Sequence, residues 1–272
     1  MMKRIACVVF CALTVSQSAM AADAKDYCSK PIRVAMFEFG VLYRGGSADG
    51  VDSRLIDVLA QRSGCVFERV LMPRARIWPE LKSGTLDMAT AALATPERQA
   101  IGYMMPYLVS RNVVLIHKAV GAVPESMAAF DASKLRVGVV RGFKHEPAFD
   151  RWFSQLAAKG RVKEVADMTE LFRYLESGLV DAVVSQPIVL RAYVDANRAK
   201  RDFVVRDWAP PEQSSVGSLI FSRKSFTREQ AARWDALVVD LLKDQTLLKI
   251  LQDYMPADQA RGVVYRGPRI LD

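Results

Sequence analysis

An α/β protein of two lobes with a cleft between them is what this 272-residue sequence predicts. Three observations carry that expectation. A strand–helix–strand pattern occurs in both halves of the chain. Its strands are apolar and nearly non-alternating, as suits parallel sheets covered on both faces. A ten-residue unit also recurs: "LKSGTLDMAT" at 81–90 and "LESGLVDAVV" at 175–184 share Leu, Ser, Gly and Asp in register, 94 residues apart. In open α/β sheets ligands sit beyond the carboxyl ends of the strands, so function is to be sought in the cleft.

In chain order, residues 1–21 read as an export signal. Lys3 and Arg4 are basic, Ile5 to Val15 apolar, and Ala19-Met20-Ala21 forms a small-x-small cleavage site. The mature protein then begins at Ala22, soluble and outside the cytoplasm. No later stretch approaches the roughly 20 apolar residues of a membrane helix, and no lipobox-like residues precede Cys7, Cys11 or Cys28. Cleavage leaves two cysteines, Cys28 and Cys65, separated by 37 residues. In an oxidising compartment such a pair is expected to form a disulfide, and the spacing fits neither a CxxC redox motif nor a thiolate metal site. Loss of Lys3 and Arg4 takes the net charge from +8 to +6. No dense basic run with interleaved aromatics accompanies it, so nucleic acid is not an expected partner.

The first half opens with the strand "IRVAMF" at 32–37 and the second with "LRVGVV" at 135–140. Each repeated unit begins as a helix end, breaks at Gly84 or Gly178 where a left-handed cap suits glycine, and passes into a strand after Asp87 or Asp181. Between them, Pro79 in "MPRARIWPEL" marks a helix start just after Arg76, and Thr95-Pro96-Glu97 marks another. Residues 229–256 carry apolar side chains at helical spacing, from Trp234, Leu237, Val238, Leu241 and Leu242 to Leu247, Leu248 and Leu251. These read as core-facing helices that complete one lobe.

"GVDSRLIDVLAQRSGC", "LKSGTLDMATAALATPER", "MMPY", "LRVGVVRG", "LESGLVDAVVSQP" and "KDQTLLKILQDYMP", in this order over about residues 31–256, resemble the family 3 extracellular solute-binding proteins. The resemblance implies a type II periplasmic-binding fold and a role as the binding component of an ABC importer of amino acids and related solutes. Lobe 1 would span 28–116 plus 219–272 and lobe 2 117–218, with hinge crossings near 115–118 and 216–221. It also implies lobes that close on a small solute in a shape recognised by a membrane permease; the protein is expected to be a periplasmic monomer, with no cofactor or metal expected.

Arg98 is the first candidate for the site. Thr95 as N-cap, Pro96 at the first helical position and Glu97 toward the positive helix end define a helix start whose free N–H groups attract an anion. An arginine fork there can hold a carboxylate bidentately, and the matching arginine of the family does so. The competing reading is a surface arginine paired with Glu97 or another acid. Phe37 is the aromatic candidate for sandwiching the ligand, with Phe39 or Tyr43 in its place if the register differs. Arg76 matches an arginine found in some members. Trp78 reads as core and Tyr107 as structural. From the second lobe come Arg141, Gly142, Phe143 and Lys144, directly after a strand, and Gln186.

The sequence departs from the amino-acid binders in three places. Phe143 and Lys144 stand where a threonine pair is usual, Gln186 where an aspartate holds the α-amino group, and Ala91 to Leu93 lack hydroxyl donors. An ammonium without a carboxylate partner in a dry cleft carries a large desolvation cost. The expected ligand is therefore an organic acid or another anionic, amino-acid-like solute. Two rival roles stay in view: a dehydratase-like enzyme using Glu38, His145 or Glu146, and an accessory protein of a periplasmic redox enzyme. Against catalysis, the two histidines are far apart in sequence and no GxSxG motif or metal-ligand cluster is present.

Overall fold

The computed structural model describes residues 27–270, so the export signal lies outside the described residues. Among the described residues ten strands form two five-stranded sheets. The first contains β1 (Ile32–Met36), β2 (Phe67–Leu71), β3 (Met88–Leu93), β4 (Gly102–Ser110) and β10 (Ser215–Ser222), in the order β2-β1-β3-β10-β4. The second contains β5 (Val113–His117), β6 (Val137–Val140), β7 (Val162–Val165), β8 (Ala182–Ser185) and β9 (Phe203–Arg206), in the order β7-β6-β8-β5-β9. In each, the first three positions pair parallel, while β10 and β5 run antiparallel to both their neighbours. The two halves thus share one plan, which is the two-lobed α/β architecture expected.

The repeated unit explains itself in this frame. Gly84 and Gly178 take left-handed φ values of 81° and 71° at the ends of α2 (Arg74–Ser83) and of α6 (Met168–Glu176). The aspartate that follows serves the neighbouring strand. Asp87 accepts the backbone N–H of Arg33 at 2.9 Å, and Asp181 that of Arg136 at 2.7 Å. Each carboxylate satisfies a donor at the start of the parallel strand beside its own, β1 or β6, so the recurrence is structural.

The crossings lie a few residues earlier than expected. β5 pairs along its length with β8 and β9, and β10 with β3 and β4, so residues 113–116 belong to the second sheet and 215–218 to the first. The chain passes between sheets at 111–112 and along 207–214. Arg111 clamps the two connections together, through Asp207 and the carbonyls of Ala209, Pro210, Pro211 and Gln213. Beside it the buried Glu146 accepts from Asn112 N (3.1 Å) and Nδ2 (2.7 Å), and from Ser215 Oγ (3.1 Å). One carboxylate thereby ties both connections to the start of α5 (Pro147–Ala158).

Pro79 does not begin α2. The helix starts after Pro73, and Pro79 lies inside it, forfeiting one helical hydrogen bond. Toward the C-terminus, α9 (Arg228–Lys243), α10 (Thr246–Gln252) and α11 (Ala257–Val263) cover the first sheet. Trp234 is fully buried there, against Tyr27, Phe67 and Phe221 with ring centroids 5.0, 5.8 and 5.2 Å away. Leu237, Val238, Leu241, Leu247 and Leu251 are buried as expected, while Leu242 and Leu248 are half-buried. Cys28 and Cys65 form the disulfide. No helix among the described residues is long and apolar enough to cross a membrane.

Candidate functional site

The two sheets meet closed. Phe37, Glu38, Met72, Pro73 and Arg74 from the first lobe and Val140, Phe143, Ala166, Asp167 and Met168 from the second line a cleft with a remaining volume of about 20 Å³, room for about one water. Phe39 packs on Phe143 across it, centroids 5.3 Å apart. Tyr193, stacked on Phe172, donates to Glu38 Oε1 (3.0 Å) and accepts from Gly40 N (3.2 Å).

Arg98 lies just inside the helix start that Thr95 and Pro96 mark. The Thr95 hydroxyl caps α3 (Pro96–Ile101) by accepting from Arg98 N at 3.4 Å. The guanidinium is turned inward, 5 % exposed, with its carbon 3.6 Å from the ring centre of Trp78. It donates to Leu93 O at 3.0 Å and, across the cleft, to Gly142 O at 3.2 Å. No carboxylate pairs with it at ion-pair distance among the described residues, and burial lowers its pKa to about 10 while Asp150 and Glu97 oppose the shift. The competing reading, a surface arginine paired with an acid, is not what the structure shows.

Arg74, rather than Arg76, is the second cation of the cleft. Arg76 is exposed and ion-paired with Glu80 at 2.7 Å, one turn along the same helix. Arg74 is 2 % exposed and donates to Ala91 O at 2.8 Å, with Thr90 O at 3.4 Å. Its Nε is buried without an acceptor. Three rings surround its guanidinium carbon: Phe37 at 4.0 Å, Trp78 at 4.8 Å and Phe143 at 5.4 Å. Burial, and then the charge of Arg98, lower its pKa well below the usual arginine range.

Below Arg74 lies Asp52, fully buried, which accepts from the Tyr107 hydroxyl at 2.6 Å. The same hydroxyl accepts from Ala91 N at 3.1 Å. Burial pushes the Asp52 carboxyl up to about 6, against the Tyr107 hydrogen bond and the charge of Arg74. Burial and the adjacent Asp52 raise the Tyr107 phenol well above its ordinary value. Tyr107 is therefore structural, and it joins Asp52 to β3.

The remaining expected residues separate. Phe37 lines the cleft, covered on one face by Arg74. Arg141 points to Glu164 (3.2 Å) on the exposed side, and Lys144 is half exposed at 3.7 Å from Asp150. Neither converges on Arg98, because the turn after β6 sends its backbone inward at Gly142 and its long cations outward. Gln186 sits at the start of α7 (Pro187–Leu190) without a side-chain cap bond. Trp78, read from sequence as core, is a half-buried platform that donates to Gly142 O at 3.0 Å. His145 is buried beside Asp150, while Glu146 belongs to the hinge.

Comparison with known proteins agrees with this architecture. The family model described as bacterial extracellular solute-binding proteins, family 3, matches residues 34–257. A probable histidine-binding protein of Neisseria gonorrhoeae is 27 % identical over 218 residues, covering 75 % of this chain and 79 % of that one. Among solved structures, the solute receptor for L-cysteine of Neisseria gonorrhoeae superposes with a TM-score of 0.69 at 18 % identity, over 87 % of this chain and 96 % of that one. An amino acid ABC transporter substrate-binding protein of Streptococcus pneumoniae bound to L-arginine gives 0.66 at 21 % identity, over 85 % and 95 %. With the family match spanning most of the sequence and the same fold in these structures, this chain belongs to the family 3 bacterial extracellular solute-binding proteins.

Proposed function

We propose that this protein binds a small, carboxylate-bearing solute of amino-acid size between its lobes in the periplasm and delivers it to an ABC permease. One observation carries this reading: two buried arginines, Arg74 and Arg98, share the cleft beneath Trp78 without an ion-pair partner, and Arg74 Nε lacks any acceptor. Two adjacent desolvated cations repel one another, and an anion between them offsets that cost. The acids nearby are partly committed. Glu38 accepts from Tyr193 and from Gly45 N, and Asp167 uses one oxygen to cap α6.

Relatives whose names specify histidine, cysteine or arginine support an amino-acid type of ligand, and every amino acid brings the required carboxylate. The absence of an acid at Gln186 and the surplus of cations favour a solute that is negative or neutral overall. The tightness of the closed cleft favours solute binding over a scaffolding role. Room for the solute comes from rotation of the lobes about 111–112 and 207–214.

Thermal-shift screening of the mature protein against organic acids, amino acids and amines tests the reading. A ligand at a hundredfold excess over its Kd stabilises by about 2.7 kcal/mol. Carboxylates are expected to raise Tm, and Arg98→Ala to abolish the rise. A response to amines alone overturns the proposal.

A further inference from the structure

Arg74 occupies a place built for a cation. Aromatic faces attract a guanidinium through their quadrupole, and cages of several rings are a recurrent way of holding organic cations. Here Phe37, Trp78 and Phe143 supply three faces within 5.4 Å of the Arg74 guanidinium carbon. Phe143 comes from the opposite lobe, so the cage is complete only when the lobes are closed. Two carbonyls, Thr90 and Ala91, accept from its terminal nitrogens, and Asp52 adds negative charge below. Ala91 holds a left-handed φ of 46°, unusual for a residue with a Cβ, while its carbonyl accepts from Arg74. Rings, carbonyls and a carboxylate together are the chemistry that recognises a free guanidinium.

We propose that Arg74 is a built-in occupant of a guanidinium subsite, and that its presence makes the cleft reject solutes with cationic side chains. This rests on the reading of the cleft as the solute site and narrows its ligand class. A solute's guanidinium or ammonium meets a cage already filled, and beside it a like charge in a desolvated cleft. A solute carboxylate meets the free Arg74 Nε instead. Arg74 is thus a specificity-determining residue that converts a cation-accepting cleft into one selective for neutral or acidic solutes.

Removing the side chain to Cβ opens the cage toward the cleft that Arg74 lines. The test compares wild type with Arg74→Ala and with Arg74→Met, which refills the cage without charge. Each is titrated with L-arginine, methylguanidine and a carboxylate found in the solute screen. Calorimetry and Tm are the readouts. The expected result is no measurable arginine binding by wild type or Arg74→Met, and an affinity at least tenfold higher in Arg74→Ala. Methylguanidine should raise the Tm of Arg74→Ala alone, and should restore its fold if the variant is unfolded by itself. Tight arginine binding by wild type overturns the inference. So does an Arg74→Ala protein that neither binds nor is rescued by a guanidinium while wild type still takes the carboxylate, an outcome that leaves the solute-binding reading intact. Wild type that takes no carboxylate, with Arg74→Ala gaining arginine, sinks the broader reading and keeps the cage.

Discussion

Trp78 and Arg98 donate to the same acceptor, the carbonyl of Gly142 on the facing lobe, at 3.0 and 3.2 Å. The ring of Trp78 also lies under the guanidinium it shares that acceptor with, 3.6 Å from its carbon. One backbone oxygen thus closes the cleft over two side chains, and it does so at a glycine with φ 76°. A Cβ there would lie 2.7 Å from Cα of Ala75, too close for the closed arrangement.

Gly142→Ala is therefore expected to favour the open form while leaving each lobe folded. The clash exists only when the lobes are closed and costs on the order of 1–2 kcal/mol, or about tenfold in solute affinity. Small-angle scattering should show a larger radius of gyration for the variant. An unchanged radius and an unchanged affinity would show that this contact does not govern closure.

Arg98→Ala should weaken binding of a carboxylate solute by about 1.5–3 kcal/mol or more, the worth of a charge-assisted hydrogen bond. Arg98→Lys should recover only part of it, since an ammonium lacks the planar fork of a guanidinium. Calorimetric titration of the three proteins separates these outcomes, and equal affinities for all three would exclude a ligand role for Arg98.

Asp52 should impose a pH dependence opposite to that of ordinary paired carboxylates. Its folded pKa of about 6 exceeds the unfolded value of about 3.9, so the folded state holds the proton more tightly. The associated stabilisation is complete below pH 4 and disappears as pH rises through 6, a loss on the order of 3 kcal/mol. The measurement is urea unfolding of wild type and Asp52→Asn at pH 4, 5, 6 and 7. The stability difference between them should change across this window; a constant difference would mean that Asp52 does not titrate there.

Glu146→Ala leaves Asn112 N, Asn112 Nδ2 and Ser215 Oγ without their shared buried acceptor. A destabilisation of about 3 kcal/mol is expected, because buried donors without acceptors are costly. Glu146→Gln, which keeps one oxygen acceptor, should lose less. Equal losses in the two variants would argue against the hydrogen-bond origin.

Reduction of the Cys28–Cys65 disulfide, which closes a loop over a separation of 37 residues, should cost about 4 kcal/mol on chain-entropy grounds. Urea midpoints with and without reductant, checked against Cys28→Ser, measure it directly. No shift of the midpoint would mean that the loop is already constrained when reduced.

Much of this protein is legible in one dimension. The doubled strand–helix–strand pattern, the glycines that end α2 and α6, the cysteine pair and the Thr95-Pro96 helix start are local or periodic properties, and each follows from backbone chemistry near its own residue. That is also why Arg98, one turn inside a marked helix start, could be placed from its neighbours. Arg74 could not. It and Arg76 are two positions apart on one helix, about 200° around its axis, so only one can face the cleft. Which one does so depends on where α2 begins and how it lies on β3, and Pro79 suggests a start that Pro73 in fact provides. The directions of Arg141 and Lys144 were hidden for the same reason, since a turn fixes that cations are present but not where they point. The shared carbonyl of Gly142, the ring of Phe143 over Arg74 and the tie from Glu146 to both crossings join residues 34 to 69 positions apart. Sequence determined the two lobes and one arginine between them; only packing of one lobe on the other decided which side chains the closed cleft holds, because contact across a cleft is set by rigid-body geometry that no local pattern encodes.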